Sequence, residues 1–269
     1  MAQKILYEKK GEVAWITLNR PEVRNALDHE MHDIICDLWA DFRDDDNLRV
    51  AVLSGAGGHF TGGADLKTHA PMWQEMGPMV GRDRMEDGVS GITRGPLSRI
   101  YKPIIAEIDG WCVGHGIEMI MACDIRVASS RARFAEFQVR KGMHHADGGL
   151  SRLINSCGVG FTMEFLMTGA EISAQHAYNA NMVNYVVPAD ELRAKTEQVV
   201  QNILNCDRRA VESAKETILE LIGRTLHDQL RVENMWGYAL CGGNPSIRKH
   251  LSDFYALQEQ KKSGEESKG

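Results

Sequence analysis

The six cysteines of this sequence are scattered, at Cys36, Cys112, Cys123, Cys157, Cys206 and Cys241, and none forms a Cys-x-x-Cys pair. That spacing excludes a zinc ribbon or a disulfide framework and implies free thiols in a reducing compartment. No apolar run approaches the ~20 residues of a membrane span. Met1–Gly11 is polar and lacks the apolar core of a signal peptide. There is no basic excess. The formal charge is −6, so nucleic acid is not expected as a partner. No Gly-x-Gly-x-x-Gly motif opens the chain, and exact internal repeats are absent. A soluble, cytoplasmic protein with neither membrane nor nucleic acid as partner is expected.

What is present is an ordinary globular composition. The 269 residues are 43% hydrophobic and 25% charged, enough to bury a core without staples. Val13–Leu18 is β-prone and ends at Asn19-Arg20-Pro21. Leu27, Met31, Ile34, Ile35, Leu38 and Phe42 form the stripe of an amphipathic helix, with Asp28 or Asn25 to cap it. Arg49–Ser54 and Ile104–Ile108 read as buried strands, Ile117–Cys123 as a short helix, and Ile125–Ala128 and Ala132–Phe134 as further strands. Gly148 and Gly149 open another helix. Thr68–Gly95, rich in methionine and glycine, predicts a mobile helix-and-loop segment beside a pocket. From Glu191 to Phe254 the pattern is purely helical. The fold class is α/β, with a loosely recurring β-β-α rhythm that suits a coiled superhelix, followed by a helical region. The expected boundaries are 1–190 for the core, 191–257 for the helices and 258–269 for a fraying tail.

Two glycine-bearing loops carry the chemistry. One is Gly62-Gly63-Ala64-Asp65-Leu66; the other runs from Gly110 to Glu118. Each lies between an apolar run and a helix-like run. A helix start presents N–H groups and partial positive charge to a ligand oxygen. Two such loops can therefore stabilise an oxyanion, with Glu118 beside it to move a proton. The Glu107 carboxylate interrupts an apolar strand and needs a partner such as Arg126, or a place facing the pocket.

Several segments together resemble the crotonase superfamily, the enoyl-CoA hydratase/isomerase family. They are Ile16–Pro21 with Asn25–Leu27, Phe60–Lys67, Lys102–Ala106, Gly110–Asp124, Phe134, Gly148-Gly149 with Arg152-Leu153, and Thr168-Gly169 with Ile172–Ala174. The resemblance implies a superhelix of β-β-α turns that binds an acyl-CoA thioester and assembles as a homotrimer or a dimer of trimers. The C-terminal helices would serve trimerisation and cover the pocket. It implies an oxyanion hole made by the backbone N–H groups of Ala64 and His115, and CoA contacts at Arg24, Ala26, Ala64, Asp65 and Leu66. An arginine at position 24 also suits phosphate on its own chemistry. Glu118 matches the family's first catalytic glutamate. No metal and no separate cofactor are implied, since coenzyme A arrives as part of the substrate.

Two positions and one loop depart from the family pattern. His115 stands where glycine is usual, although its N–H remains. Gln138 stands where a second glutamate is usual, and an amide holds water but cannot exchange a proton. The loop Gly142–Gly149 carries His144, His145 and Asp147 in place of proline and small residues. Asp147 is then either a replacement acid/base or the N-cap of the following helix, with His144 or His145 as helpers. The expected activity is hydration of a 2-enoyl-CoA, or the reverse dehydration, in fatty acid or aromatic acid metabolism. Hydrolytic C–C cleavage or ring opening of a β-dicarbonyl substrate, double-bond isomerisation, and an inactive CoA-binding homologue are the alternatives.

Overall fold

In a computed structural model, which describes residues 3–76 and 100–266 with side chains through Gln260, the chain divides into two units, Met1–Leu204 and Asn205–Gly269. The first begins with strands β1 (Ile5–Lys10) and β2 (Val13–Leu18), helix α1 (His29–Asp44) and strand β3 (Val50–Gly55). Helix α2 (Leu66–Met76), strands β4 (Ile104–Ile108) and β5 (Trp111–Val113) and helix α3 (His115–Ala122) follow. Next come β6 (Ile125–Ser129), β7 (Arg133–Ala135), α4 (Gly149–Cys157), α5 (Val159–Thr168), β8 (Glu171–Ser173), α6 (Ala174–Asn179), β9 (Tyr185–Val187) and α7 (Leu192–Leu204).

The larger sheet has the order β1-β2-β3-β4-β6-β9, and the smaller β5-β7-β8. From β2 to β9 the large sheet is parallel, and β5 pairs with β7 in parallel. Consecutive turns of the chain thus place one strand in each sheet, and the turns stack. Strands β3 and β4 read as unbroken apolar runs because both faces are covered. Ala51, Leu53, Ile104 and Ala106 face one cluster with α1 residues Met31, Ile35, Trp39 and Phe42. Val50, Val52 and Ile105 face the other, with Leu192, Val199 and Val200 of α7. This packing carries the first unit past residue 190, to Leu204.

The alternation also corrects the partner expected for Glu107. It follows Ile105 on the α7 face, while Arg126 is in register with Ala106 on the opposite face. Glu107 Oε1 pairs with Arg193 of α7 at 2.9 Å, and Arg126 donates to the carbonyls of Cys123 and Met182. The cap of α1 is Asp28, whose Oδ1 accepts from the Met31 N–H at 3.0 Å. Asn25 instead clamps the first loop. It sits at φ 56°, a conformation that asparagine tolerates. Its Nδ2 donates to the carbonyls of Ala56, His59 and Phe60, and its Oδ1 accepts from Arg20 N–H.

The second unit comprises α8 (Arg208–Leu221), α9 (Leu226–Gly243) and α10 (Ile247–Glu266). Asp207 caps α8 by accepting from Ala210 N–H. Residues 258–266, expected to fray, are helical. Of the segment expected to be mobile at residues 68–95, the part up to Met76 belongs to α2, and the remainder lies outside the described residues.

Replacing Asn25 by alanine leaves three carbonyls and one N–H without their partner. The expected cost is about 3 kcal/mol, read as a lower urea midpoint at unchanged slope. A midpoint equal to wild type contradicts this clamp.

Candidate active site

The site is built by stacking. Thr61 forms a parallel bridge with Cys112, and Cys112 pairs in register with Phe134 of β7. Ala64, His115 and Phe137 each lie three residues beyond one of these partners, so three successive turns deliver equivalent positions to one place. The two glycine loops meet there. A Cβ on Gly63 would lie 2.6 Å from the Val113 carbonyl oxygen and 3.5 Å from the His115 nitrogen. Only glycine permits this backbone approach, and at φ 88° it also relieves the strain of a left-handed residue.

The N–H groups around Ala64 are sorted by their hydrogen bonds. Gly63 N–H donates to Thr61 Oγ1 at 3.0 Å, and Asp65 N–H donates to the Leu27 carbonyl at 2.7 Å. The bridge between Leu27 and Ala64 turns the Ala64 N–H to the opposite side, where no acceptor faces it among the described residues. His115 is the first residue of α3, after Gly114 at φ 54°, so its N–H lies at the positive end of the helix.

A cavity of about 570 Å³ opens at this point, lined among others by Ala64, Leu66, His115, Glu118, Gln138, His144 and Asp147. His32, His69, Trp73, Phe137, Lys141 and Met143 also contribute. Glu118 is buried one turn along α3. His115 Nδ1–H donates to its Oε2 at 2.8 Å, and Gln138 Nε2–H reaches its Oε1 at 3.5 Å. A Cβ on Gly149 would meet Glu118 Cγ at 2.9 Å, so the glycine at the start of α4 makes room for this side chain. Asp147 sits in the left-handed turn before α4, at φ 52°. It does not cap that helix. Gly148 occupies the N-cap without a side-chain bond, and Asp147 Oδ2 lies 3.7 Å from His115 Nδ1.

Electrostatics follow from burial and neighbours. Burial alone would lower the basicity of His115, but the hydrogen bond to Glu118 and the charges of Glu118, Asp147 and Glu136 outweigh it and hold the imidazole above its ordinary value. His32 packs edge-on against His115, with ring centroids 5.0 Å apart. Burial, with His115, His69 and His29 nearby, pushes His32 down to about 2. Burial and the neighbouring His29 likewise lower His69.

Not every expected residue reaches the cavity. His145 turns away and lies 3.7 Å from Glu136 Oε2. Burial raises Glu136 to about 7 despite this neighbour, and the Glu118 charge adds to the rise. His144 Nδ1–H donates to the His145 carbonyl at 2.6 Å. Of the two histidines and the aspartate of this loop, His144 and Asp147 reach the cavity wall and His145 does not. Arg24, Ala26 and Asp65 lie along the first loop without lining the cavity. Arg24 contributes its carbonyl to Gly62 N–H, and the Asp65 carboxylate pairs with Arg20 at 3.2 Å. The ligand atoms of His115, Glu118 and Asp147 lie within 4.8 Å of one another, close enough to hold a metal ion. The 2.8 Å hydrogen bond between the first two is one that an ion would have to break.

Sequence reading did not single out His32, His69, Trp73 or Glu136. His32 interrupts the apolar stripe of α1 beside Met31, and Glu136 follows Phe134 at strand spacing. Both signals were available.

Comparison with known proteins agrees with this geometry. Residues 8–255 match the family model described as enoyl-CoA hydratase/isomerase. An (E)-benzylidenesuccinyl-CoA hydratase from Thauera aromatica is 32% identical over 87% of this chain and 89% of its own length. A short-chain-enoyl-CoA hydratase from Clostridium acetobutylicum is 33% identical over 80% of each chain. Among solved structures, an enoyl-CoA hydratase subunit from Geobacillus kaustophilus HTA426 superposes with TM-score 0.86 at 28% identity, over 95% of this chain and 96% of that one. The chain belongs to the enoyl-CoA hydratase/isomerase family.

Proposed function

We propose that this protein adds water across the double bond of a 2-enoyl-CoA thioester, or removes it in the reverse direction. The observation that carries this reading is the Ala64 N–H, without an acceptor among the described residues and beside the start of α3, on the wall of a cavity that also holds Glu118 and Asp147. With the thioester oxygen between the Ala64 and His115 N–H groups, the charge that develops on it meets two fixed donors. Each such donor is worth roughly 2.7–4 kcal/mol in the transition state. Glu118 takes a proton from the attacking water. Gln138, reaching the other Glu118 oxygen, orients that water. Asp147 delivers a proton to the α carbon, the task that Gln138 cannot perform. No metal enters this scheme, and coenzyme A comes with the substrate. We assign its moiety to the loop at Arg24 and Ala26 and the adjoining Ala64, Asp65 and Leu66, which the Leu27–Ala64 bridge holds side by side.

We further assign the helical unit to assembly, as a homotrimer or dimer of trimers. Helices α8 and α9 bury no side chain, and Ile218, Leu226, Leu230, Met235 and Tyr238 are all exposed on them. Contact with further copies of the chain would cover this apolar surface. A reducing compartment, the cytoplasm, agrees with six cysteines that form no disulfide among the described residues.

Glu118→Gln is expected to abolish hydration of crotonyl-CoA while acyl-CoA affinity stays within about tenfold, a change of about 1.4 kcal/mol. Steady-state kinetics with binding calorimetry check this, and unchanged turnover removes Glu118 from the mechanism. Dialysis against EDTA is expected to leave turnover unaltered; a loss restored by a divalent ion contradicts the metal-free scheme. Sedimentation equilibrium is expected to give the mass of a trimer or hexamer, and a monomer at micromolar concentration contradicts the assembly.

A further inference from the structure

We propose that the His115 imidazole is a positioning residue that links Glu118 and Asp147, passing a proton between them so that one carboxylate acts as base and the other as acid. This rests on the hydration reading above and adds to it a role for a side chain whose backbone alone had been given one. The same atom, Nδ1, faces both acids, at 2.8 Å from Glu118 Oε2 and 3.7 Å from Asp147 Oδ2. His115 and Glu118 are buried, with side chains 4% and 5% exposed, and Asp147 is 13% exposed. Water therefore competes poorly for these contacts.

Every element packed around His115 bears on its charge. Glu118 comes from its own helix, Asp147 from the turn before α4, and Glu136 from the segment after β7. All three favour the imidazolium. His32 of α1 lies edge-on to it, and His69 of α2 lies behind His32. Burial drives both of these imidazoles towards the neutral form. Lys141 lines the cavity, and Arg152 donates to the Asp147 carbonyl at 3.0 Å. The positive charge thus rests on His115, between its two carboxylates.

The proton inventory closes on this arrangement. The cycle starts with the imidazolium of His115 between its two carboxylates, and Nδ1 gives its proton to Asp147. Glu118 takes one proton from water, and the water oxygen bonds to the β carbon. The π electron pair moves towards the thioester, and the α carbon takes the Asp147 proton. His115 Nδ1 then takes the proton held by Glu118. The net change is one water added to the double bond, with all three groups restored. An amide at position 138 is compatible with this cycle because the second proton-carrying group is now Asp147.

The test compares His115→Gln, Asp147→Asn, Glu118→Gln and the double variant His115→Gln/Asp147→Asn, with folding checked by thermal melting. His115→Asn is measured alongside as a second, smaller replacement. The backbone N–H of residue 115 persists in each. His115→Gln is expected to lower kcat by about 100-fold, within the range of general acid–base catalysis, while KM changes by less than about threefold. Wild-type kcat is expected to fall as pH rises through the imidazolium's pKa, above the ordinary histidine value of 6.5. That limb is absent in the variant. The double variant is expected to be no more than about threefold slower than the slower single variant, because both changes break one path. If His115→Gln keeps kcat within about threefold of wild type, or lowers it equally at every pH with the limb intact, the link is wrong. Losses in Glu118→Gln and Asp147→Asn would then leave the carboxylate mechanism standing. If those two variants also retain full turnover, the hydration chemistry assigned to them fails, and the link with it.

Discussion

Parallel stacking of successive chain turns is the constraint from which the site follows. Thr61, Cys112 and Phe134 lie on neighbouring turns, held in register by main-chain hydrogen bonds. What each turn does next is then compared at one point in space. The first offers the Ala64 N–H, the second the start of α3, and the third Phe137 and Gln138. Main-chain groups fixed by a sheet do not reorganise when charge develops, which is the condition for strong electrostatic stabilisation. The glycines follow from the same constraint. Gly63 must let the Val113 carbonyl approach, and Gly149 must leave space for Glu118.

The local parts of this design were legible in the residues. The apolar stripe of α1, the buried runs of β3 and β4, and the two glycine loops all announce themselves within a few positions. Family resemblance carried the connection between loops that periodicity cannot supply. What failed to be legible depends on which way a side chain points. Glu107 and Arg126 lie on adjacent strands, yet they project from opposite faces, and the partner of Glu107 comes from α7, far along the chain. Asp147 precedes a helix, as an N-cap would, but Gly148 takes the cap position and turns the carboxylate to the cavity. His145 follows His144 and faces Glu136 instead. One residue of register decides each case.

The unusual residues of the site also make sense as a set. The histidine at position 115 sits beside Glu118 and Asp147, whose charges hold its imidazole above the ordinary value against the effect of burial. Gln138 directs an amide, and not a second carboxylate, at Glu118. Around them stands a wall of imidazoles, His32 and His69, that burial drives towards the neutral form. The acyl portion of a substrate would thus meet aromatic and imidazole faces, with Trp73 stacked on His69 at 5.4 Å.

The central claim is that one thioester oxygen accepts from two main-chain donors of neighbouring turns. A crystal structure with a slowly reacting acyl-CoA analogue tests it most directly. The account predicts a thioester oxygen at hydrogen-bond distance, about 2.7–3.1 Å, from both the Ala64 and the His115 nitrogens, with the α and β carbons against Glu118 and Asp147. An analogue bound with its thioester oxygen turned away from either nitrogen would contradict it.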